Sequence, residues 1–301
     1  MNKLLPLLAL LPLAACGGGE PASEAPAAEP AASAPVETMA EPTGLEAVLA
    51  AQPAEVRARY GYRKPVETME FFGIEPGMTV VEALPGGGWY SKILLPYLGE
   101  SGQLVGADYP WAVWENNPIS DERRERQKTW VTDWQARAEE WRGAGDAPIS
   151  AYRMTELPEA MKGSADVVFL VRALHHLARW EEKEGTLSAA AGDFYDVLKP
   201  GGVVAVIQHE ARPEMPDDWA DGTRGYIKRD MVIAKMEAAG FELVDSSDMH
   251  ANPKDQPTTD DAVWRLPPSL GTSREDPELR ATMQEIGESN RMTLKFRKPA
   301  A

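Results

Sequence analysis

Residues 80–90 decide the fold of this chain. They read Val80-Val81-Glu82-Ala83-Leu84-Pro85-Gly86-Gly87-Gly88-Trp89-Tyr90. The β-branched start predicts a buried strand, the glycines predict a tight turn, and the residues up to position 98 predict a helix. Glycine permits positive φ angles and lets a ligand approach the backbone closely. The unpaired N–H groups of a helix start favour a carboxylate or phosphate, so this stretch predicts a site for a small, partly charged ligand.

A second acidic residue follows the glycine turn at the spacing of a nucleotide-binding site. Residues 103–108 predict the next strand, which ends on Asp108, about 20 positions after the last glycine of the turn. In a βαβ nucleotide site, a carboxylate at this position accepts hydrogen bonds from the ribose hydroxyls. A helix cap or a solvated loop residue is the alternative interpretation of Asp108.

Strand and helix patterns alternate along the rest of the chain. The first strand is predicted at 78–84, and further strands at 149–154, 165–171, 203–208, 241–245 and 293–296. Helices are predicted at 45–61, 64–72, 90–98, from Ser120 onward, 186–198 and 228–239. This alternation predicts an α/β fold, a Rossmann-like, mainly parallel sheet with helices on both faces. Its ligands would bind at the carboxyl ends of the strands.

The N-terminus carries an export pattern. Residues 1–15 combine a basic start with a short apolar run, which predicts a signal peptide too short to span a bilayer. The segment Leu13-Ala14-Ala15-Cys16 resembles the lipobox of bacterial lipoproteins, which implies that Cys16 is lipidated. Gly17 then indicates the outer membrane, with the protein facing the periplasm. An ordinary cleaved signal peptide with an incidental cysteine is the alternative.

Composition limits the partners. Residues 16–44 are mostly Gly, Ala, Pro, Glu and Ser, which predicts a disordered tether ahead of a single domain at 45–301. The chain holds 47 acidic and 31 basic residues, a net charge of −16. Such a charge argues against nucleic acids and against adsorption to anionic lipid. The expected partner is a small molecule, with membrane contact only through the lipid at Cys16.

Four motifs resemble those of the class I S-adenosylmethionine-dependent methyltransferases. They are the loop 82–88, Asp108, the segment 166–177 with its Leu-His-His-Leu ending, and the Leu-Lys-Pro-Gly-Gly turn at 198–202. The resemblance covers residues 60–298. It implies S-adenosylmethionine as cofactor and methyl transfer to a small-molecule or envelope substrate.

The resemblance also implies a set of cofactor-binding residues. Glu82 would lie near the methionine amino group, Asp108 would hold the ribose, and Arg172 would line the site after the fourth strand. The remaining positions follow the same motifs: Ala83, Leu84, Gly86 and Gly88 in the loop, Tyr109 beside the ribose, and Met154 and Thr155 beside the adenine. Leu84 replaces the family's usual first glycine, and Met154 replaces an acidic residue that many members place at the adenine.

Histidines supply the candidate bases. His175 and His176 follow the fourth strand and His209 follows the fifth, and neighbouring strands would bring them together. His176 and His209 are the predicted catalytic residues; alternatives are a metal site completed by Glu210 and a purely structural packing element. Trp111 and Trp114, in the loop 109–119, could stack on a base or shield the pocket.

Other functions stay open. The chain could be an exported, non-catalytic ligand-binding protein that keeps the fold, or a scaffold of the envelope that uses its tryptophan-rich loop as a contact surface. A nicotinamide-dependent dehydrogenase fits less well, because Gly86-Gly87-Gly88 lacks the GxGxxG spacing.

Overall fold

The computed structural model describes residues 44–300, which contain a seven-stranded sheet in the order β3-β2-β1-β4-β5-β7-β6. The strands are β1 Thr79–Ala83, β2 Gln103–Asp108, β3 Ile149–Arg153, β4 Ala165–Val171, β5 Leu198–His209, β6 Glu242–Ser247 and β7 Arg291–Arg297. Neighbouring strands from β3 to β5 run parallel, whereas β7 pairs antiparallel with both β5 and β6. The predicted Rossmann-like, mainly parallel sheet is confirmed. The predicted signal peptide, Cys16 and the tether up to residue 43 lie outside the described residues.

Helices cover both faces of the sheet. They are α1 Gly44–Ala51, α2 Ala54–Arg57, α3 Tyr60–Arg63, α4 Pro65–Phe72, α5 Ser91–Leu98, α6 Trp111–Glu115, α7 Asp121–Lys128, α8 Trp130–Glu139, α9 Leu174–Ala178, α10 Glu181–Glu184, α11 Thr186–Val197, α12 Arg229–Ala238 and α13 Pro277–Ile286. Short 3₁₀ turns lie at Glu159–Met161 and Val263–Arg265.

Two hydrophobic cores flank the sheet, because successive side chains of a strand point to opposite faces. Val81 faces a core built with α9, α11 and α12, whereas its neighbour Val80 faces a core built with α1, α4, α5 and α8. Both valines are fully buried. A strand buried on both faces is typical of a parallel sheet between helical layers. This arrangement leaves the ends of the strands as the place for a site.

Several predicted boundaries differ from the structure. The predicted helix at 45–61 consists of three short helices. Pro53 lies at the N-cap position of the second one, where the helix needs no hydrogen bond from its N–H. The helix after Ser120 is divided at Thr129 into α7 and α8, and Ser120 caps its start by accepting from the N–H of Arg123 at 3.3 Å.

Two further segments differ from their predicted structure. Residues 198–202, predicted as a turn, belong to β5, because Leu198 pairs with β4 and Gly201 donates to the carbonyl of Lys298 at 2.9 Å. The segment before β7, for which no helix was predicted, contains α13, which Asp276 caps by accepting from the N–H of Leu279. Among residues 44–300, no helix has the length and apolarity needed to cross a bilayer.

Candidate functional site

A cavity of about 480 Å³ opens at the carboxyl ends of β1, β2, β4 and β5. It is enclosed by the turns after these strands, by both ends of α3, by the 3₁₀ turn Val263–Arg265 with the loop after it, and by residues 288–289 just before β7. Its lining residues are Arg59, Arg63, Glu82, Ala83, Leu84, Pro85, Gly86, Gly87, Trp89, Tyr90, Asp108, Tyr109, Trp130, Val171, Arg172, His175, His176, His209, Val263, Trp264, Leu266, Pro267, Pro268, Ser269, Glu288 and Ser289. The site therefore lies where the strand order predicts a ligand.

The glycine turn forms one wall of the cavity. Leu84 adopts a left-handed conformation, with φ of 52°, and its N–H donates to the carbonyl of Ala107 at 2.8 Å. Leucine thus takes the backbone conformation that glycine adopts most easily. Gly88 has φ of +72°, and a Cβ built there would lie 2.2 Å from the ring of Trp141. Gly88 is therefore required by the packing behind the turn, while Gly86 and Gly87 face the cavity.

Glu82 is a buried carboxyl at the end of β1. It is 5% exposed and accepts a hydrogen bond from the hydroxyl of Ser91 at 2.5 Å. Burial raises the pKa of Glu82 to about 7, against the opposing effects of the Ser91 hydrogen bond and of nearby Arg63. A cation arriving beside Glu82 would favour its ionised form, so this carboxyl is suited to bind an ammonium group.

Asp108 is a buried carboxyl at the end of β2, and it belongs to an ion pair. Its Oδ2 accepts from the Nη1 of Arg153 at 2.8 Å, and Arg153 also donates to the carbonyl of Gln127 at 2.6 Å. Burial raises the pKa of Asp108 to about 6, although Arg153 favours the ionised form. The ion pair occupies Oδ2, and Asp108 still lines the cavity. A carboxylate has about four acceptor positions, so it can hold a further hydroxyl donor.

Three histidines meet beside β4 and β5, as the strand order predicts. The ring centroids of His175 and His176 are 3.9 Å apart, and those of His175 and His209 are 5.2 Å apart. Burial lowers the pKa of each ring, to about 4 for His176, so all three are neutral at pH 7. The Nδ1 of His209 lies 2.5 Å from the hydroxyl of Ser289.

The hydrogen bonds assign the tautomer of His175. Its Nδ1 lies 3.3 Å from the Oε1 of Gln208, whose Nε2 donates to the carbonyl of Gly225 at 3.0 Å. Since Oε1 only accepts, Nδ1 carries the proton and Nε2 keeps its lone pair. That Nε2 is buried and has no partner among residues 44–300. It is an unused proton acceptor within the histidine group.

Four arginines, called the arginine wall below, surround a single glutamate that lines the cavity. Glu288 accepts from the Nε of Arg59 at 2.9 Å and lies 3.6 Å from the Nε of Arg63 and 3.3 Å from the Nη1 of Arg291. Glu288 also experiences the charge of Arg172, and together these arginines lower its pKa despite its burial. Four guanidinium groups thus share one carboxylate, in a protein whose net charge is −16.

The structure brings most of the predicted residues to the cavity. Those that line it are Glu82, Ala83, Leu84, Gly86, Asp108, Tyr109, Arg172, His176 and His209. Gly88, Met154 and Thr155 do not line it. Met154 is fully buried in the core on the Val81 face of the sheet, and Thr155, with φ of 70°, donates its N–H to Asp193.

The two loop tryptophans have other contacts. Trp111 lies over the guanidinium of Arg153, with 5.3 Å from Cζ to the ring centroid. Trp114 is buried and packs edge-on against Tyr109, 5.1 Å between centroids. Neither tryptophan is among the residues that line the cavity. They instead fix the residues around Asp108.

The metal alternative is not supported. Glu210 pairs with the guanidinium of Arg229 at 2.8 Å and does not line the cavity. Within the described residues, no group of three His, Cys, Asp or Glu side chains is arranged to hold a metal ion.

Apart from Arg172, the residues of the arginine wall were not predicted from the sequence. Arg59, Arg63, Glu288 and Ser289 reach the cavity from segments that carry no recognisable motif. Trp264, Pro267 and Pro268 also line the cavity. The segment 263–268 carries no motif, and only its tryptophan and paired prolines distinguish it in the sequence.

Solved structures share this fold at low sequence identity. SpnF, a cyclase, has a TM-score of 0.51 and 17% identity, covering 79% of this chain and 82% of its own. This cyclase shares the Rossmann-like fold of the chain, a mainly parallel sheet with helices on both faces.

Lower-scoring matches include two methyltransferases. A SAM-dependent methyltransferase from Aquifex aeolicus has a TM-score of 0.41 and 17% identity, covering 65% of this chain and 92% of its own. The 1,6-didemethyltoxoflavin-N1-methyltransferase from Burkholderia thailandensis was solved with S-adenosylhomocysteine. It has a TM-score of 0.44 and 13% identity, covering 82% of this chain and 81% of its own. No protein-family model and no curated protein matches the chain. Identities this low describe the fold alone.

Proposed function

We propose that this chain binds S-adenosylmethionine and transfers its methyl group to a small-molecule or envelope substrate. We further propose that it acts outside the cytoplasm, anchored by a lipid on Cys16, as residues 13–16 suggest. The alternative is an exported protein that binds a ligand in the same cavity, or uses the fold as a scaffold, without catalysis.

The observation that carries the proposal is the pair of buried carboxyls beside the glycine turn. Glu82 and Asp108 end adjacent parallel strands and line one cavity. A sulfonium nucleoside with an amino-acid tail offers an ammonium group to one carboxyl and ribose hydroxyls to the other. The glycine turn between them allows close approach of the backbone, so the residues present fit this cofactor.

The cofactor supplies an already activated methyl group, so the protein mainly aligns the acceptor and excludes water. Neutral histidines can accept the proton that an attacking hydroxyl or amine loses. His176 and His209 retain the predicted catalytic role, and the free Nε2 of His175 adds a third acceptor. Trp264, Pro267 and Pro268 would screen the reacting atoms from solvent.

Calorimetric titration of the purified chain with S-adenosylmethionine and S-adenosylhomocysteine tests the cofactor. We expect binding in the micromolar range, and at least tenfold weaker binding for Glu82→Gln. Glu242→Gln, on the exposed strand β6, is the matched control and should bind like the wild type. Absence of binding at millimolar ligand would reject the methyltransferase and favour the scaffold.

Turnover separates an enzyme from a binding protein. S-adenosylhomocysteine release is measured over a panel of phenols, amines and carboxylic acids with the wild type and with His209→Ala. We expect His209→Ala to lower the rate while cofactor affinity stays within about twofold, because the imidazole acts on the acceptor. Equal losses of rate and affinity would remove the role of His209 as a base.

A further inference from the structure

Two guanidinium groups of the cavity have buried N–H groups without a hydrogen-bond acceptor among the described residues. Arg63 is 2% exposed, and its Nε and Nη1 atoms have no hydrogen-bond acceptor among the described residues. Its guanidinium lies over Trp89, 4.3 Å from the ring centroid. The Nε of Arg172 is likewise buried and without an acceptor in residues 44–300. Buried charged donors are normally paired, so these groups are arranged for an acceptor the protein does not supply.

The neighbouring carboxylates do not satisfy this pair. Glu288 is hydrogen-bonded to Arg59, and its single charge is shared with Arg291 at 3.3 Å and with Arg63 at 3.6 Å, which is beyond hydrogen-bond length. Asp108 is hydrogen-bonded to Arg153. Burial and mutual repulsion lower the pKa of Arg63 to about 9, and burial lowers that of Arg172 to about 10, so both remain charged at pH 7. The cavity wall therefore carries uncompensated positive charge.

The charge of the proposed cofactor makes this imbalance larger. With a sulfonium, an ammonium and a carboxylate, S-adenosylmethionine brings a net charge of +1. Its single carboxylate can neutralise one of the two free guanidiniums while its ammonium uses Glu82. A second anion is then required, and the natural source is the acceptor. Arg172 lines the same cavity as His175 and His209, and its charge contributes to lowering the pKa of both rings.

We propose that Arg63 and Arg172 form an anion-binding subsite for a carboxylate group on the methyl acceptor. An acid held there would present its nucleophile beside His175 and His209. Bidentate guanidinium–carboxylate pairs are strong and directional, so the subsite selects small acids over their neutral analogues. The acceptor assignment rests on the proposed function, whereas the anion site itself does not.

An isosteric pair of probes tests the charge requirement. Benzoate and benzamide are titrated at constant ionic strength, with and without saturating S-adenosylhomocysteine, and thermal unfolding is followed. We expect benzoate, and not benzamide, to raise the melting temperature. The Arg172→Gln variant should bind benzoate at least tenfold more weakly, and Arg172→Lys should recover part of the affinity. Arg179→Gln, an exposed arginine nearby, is the matched control and should respond like the wild type.

A second pair of ligands identifies the source of the carboxylate. S-adenosylhomocysteine carries the amino-acid tail, and 5′-methylthioadenosine lacks it. If Arg172→Gln binds S-adenosylhomocysteine more weakly but binds 5′-methylthioadenosine like the wild type, the subsite belongs to the cofactor and the acceptor assignment is overturned. Unchanged binding of both supports it. Arg63→Met repeats the measurement should Arg172→Gln fail to fold.

The outcomes separate the two proposals. A wild type that binds benzoate without binding S-adenosylhomocysteine keeps the anion site and rejects the methyltransferase. The anion site is overturned by two results together. The wild type binds S-adenosylhomocysteine but responds equally to benzoate and benzamide, and Arg172→Gln responds to benzoate like the control Arg179→Gln.

Discussion

Removing the charge of Arg63 should stabilise the protein without its ligand. Burial, together with repulsion from Arg172, lowers the pKa of Arg63 to about 9 from 12.5. That change corresponds to about 5 kcal/mol of unfavourable free energy for the charged form in the fold. For a base whose folded pKa is depressed, this penalty is complete below pH 9, so it acts in full at pH 7.

The Arg63→Met substitution removes the penalty and some favourable contacts. The cation–π contact with Trp89, about 1–2 kcal/mol, disappears. Glu288 keeps Arg59 and Arg291, so it is not left unpaired. Methionine fills a comparable volume with a flexible apolar chain. The penalty of about 5 kcal/mol already includes the attraction between Arg63 and Glu288. It exceeds the lost cation–π contact and packing, and we expect a net stabilisation of about 2 kcal/mol.

Urea unfolding at pH 7, read by tryptophan fluorescence and circular dichroism, measures this difference. The matched control Arg57→Met, on the exposed side of α2, should change the free energy of unfolding by less than about 0.5 kcal/mol. Arg291→Met should act oppositely, because Arg291 donates to the carbonyl of Tyr62 at 2.7 Å and pairs with Glu288. If Arg63→Met proves less stable than the wild type by more than 1 kcal/mol, the reasoning about an uncompensated charge is refuted.

Three further predictions concern the carboxyls and the glycine turn. Asp108→Asn should lower the free energy of unfolding in urea by about 3 kcal/mol, because it leaves the buried guanidinium of Arg153 without its anion; an unchanged value would deny the ion pair its structural role. Gly88→Ala should cost about 3 kcal/mol by thermal unfolding, since it combines a positive φ with a Cβ 2.2 Å from a tryptophan ring, whereas Gly87→Ala, with open space around it, should cost less than about 0.5 kcal/mol. Equal costs would contradict this account of the turn. Glu82 holds its proton to about pH 7 in the fold but releases it near 4.5 when unfolded, so its stabilising effect is full below pH 4.5 and is lost as the pH rises through 7. Relative to Glu82→Gln, the wild type should therefore lose about 3 kcal/mol between pH 4.5 and 8.5 in urea titrations, and parallel pH curves would count against the raised pKa.

Local patterns allowed much of the sheet to be predicted. The strands β2 and β4 have the predicted bounds, and β1 differs by one residue at each end. Runs of β-branched residues and the Gly or Pro residues that end them are features of a few consecutive positions. They can therefore be recognised in the sequence without knowledge of the fold. The same holds for Ser120, whose capping role follows from residue type and position.

The segments that depend on distant partners were predicted poorly. The extension of β5 through 198–202 is stabilised by pairing with β4 and with the chain after β7. The predicted N-terminal helix is interrupted twice and forms α1, α2 and α3. Helices this short are marginal on their own, and α1 is stabilised by packing against α5.

The site shows the same division. Glu82, the glycine turn, Asp108 and the histidines lie at or just after the carboxyl ends of predicted strands. The sequence by itself therefore determined that they meet at one edge of a parallel sheet. The state of those residues depended on the tertiary structure, which pairs Asp108 with Arg153 and places Met154 in the core. Burial and charge neighbours set these properties, and neither is a local feature of the chain.

The arginine wall was decided only by the tertiary structure. Arg59 and Glu288 are 229 residues apart in the chain and form one ion pair. No propensity or spacing links such residues, because their contact arises only when α3 and the start of β7 pack against the same end of the sheet. The sequence determined the scaffold and the glycine turn of this protein, whereas folding determined the uncompensated charge that its cavity offers to a ligand.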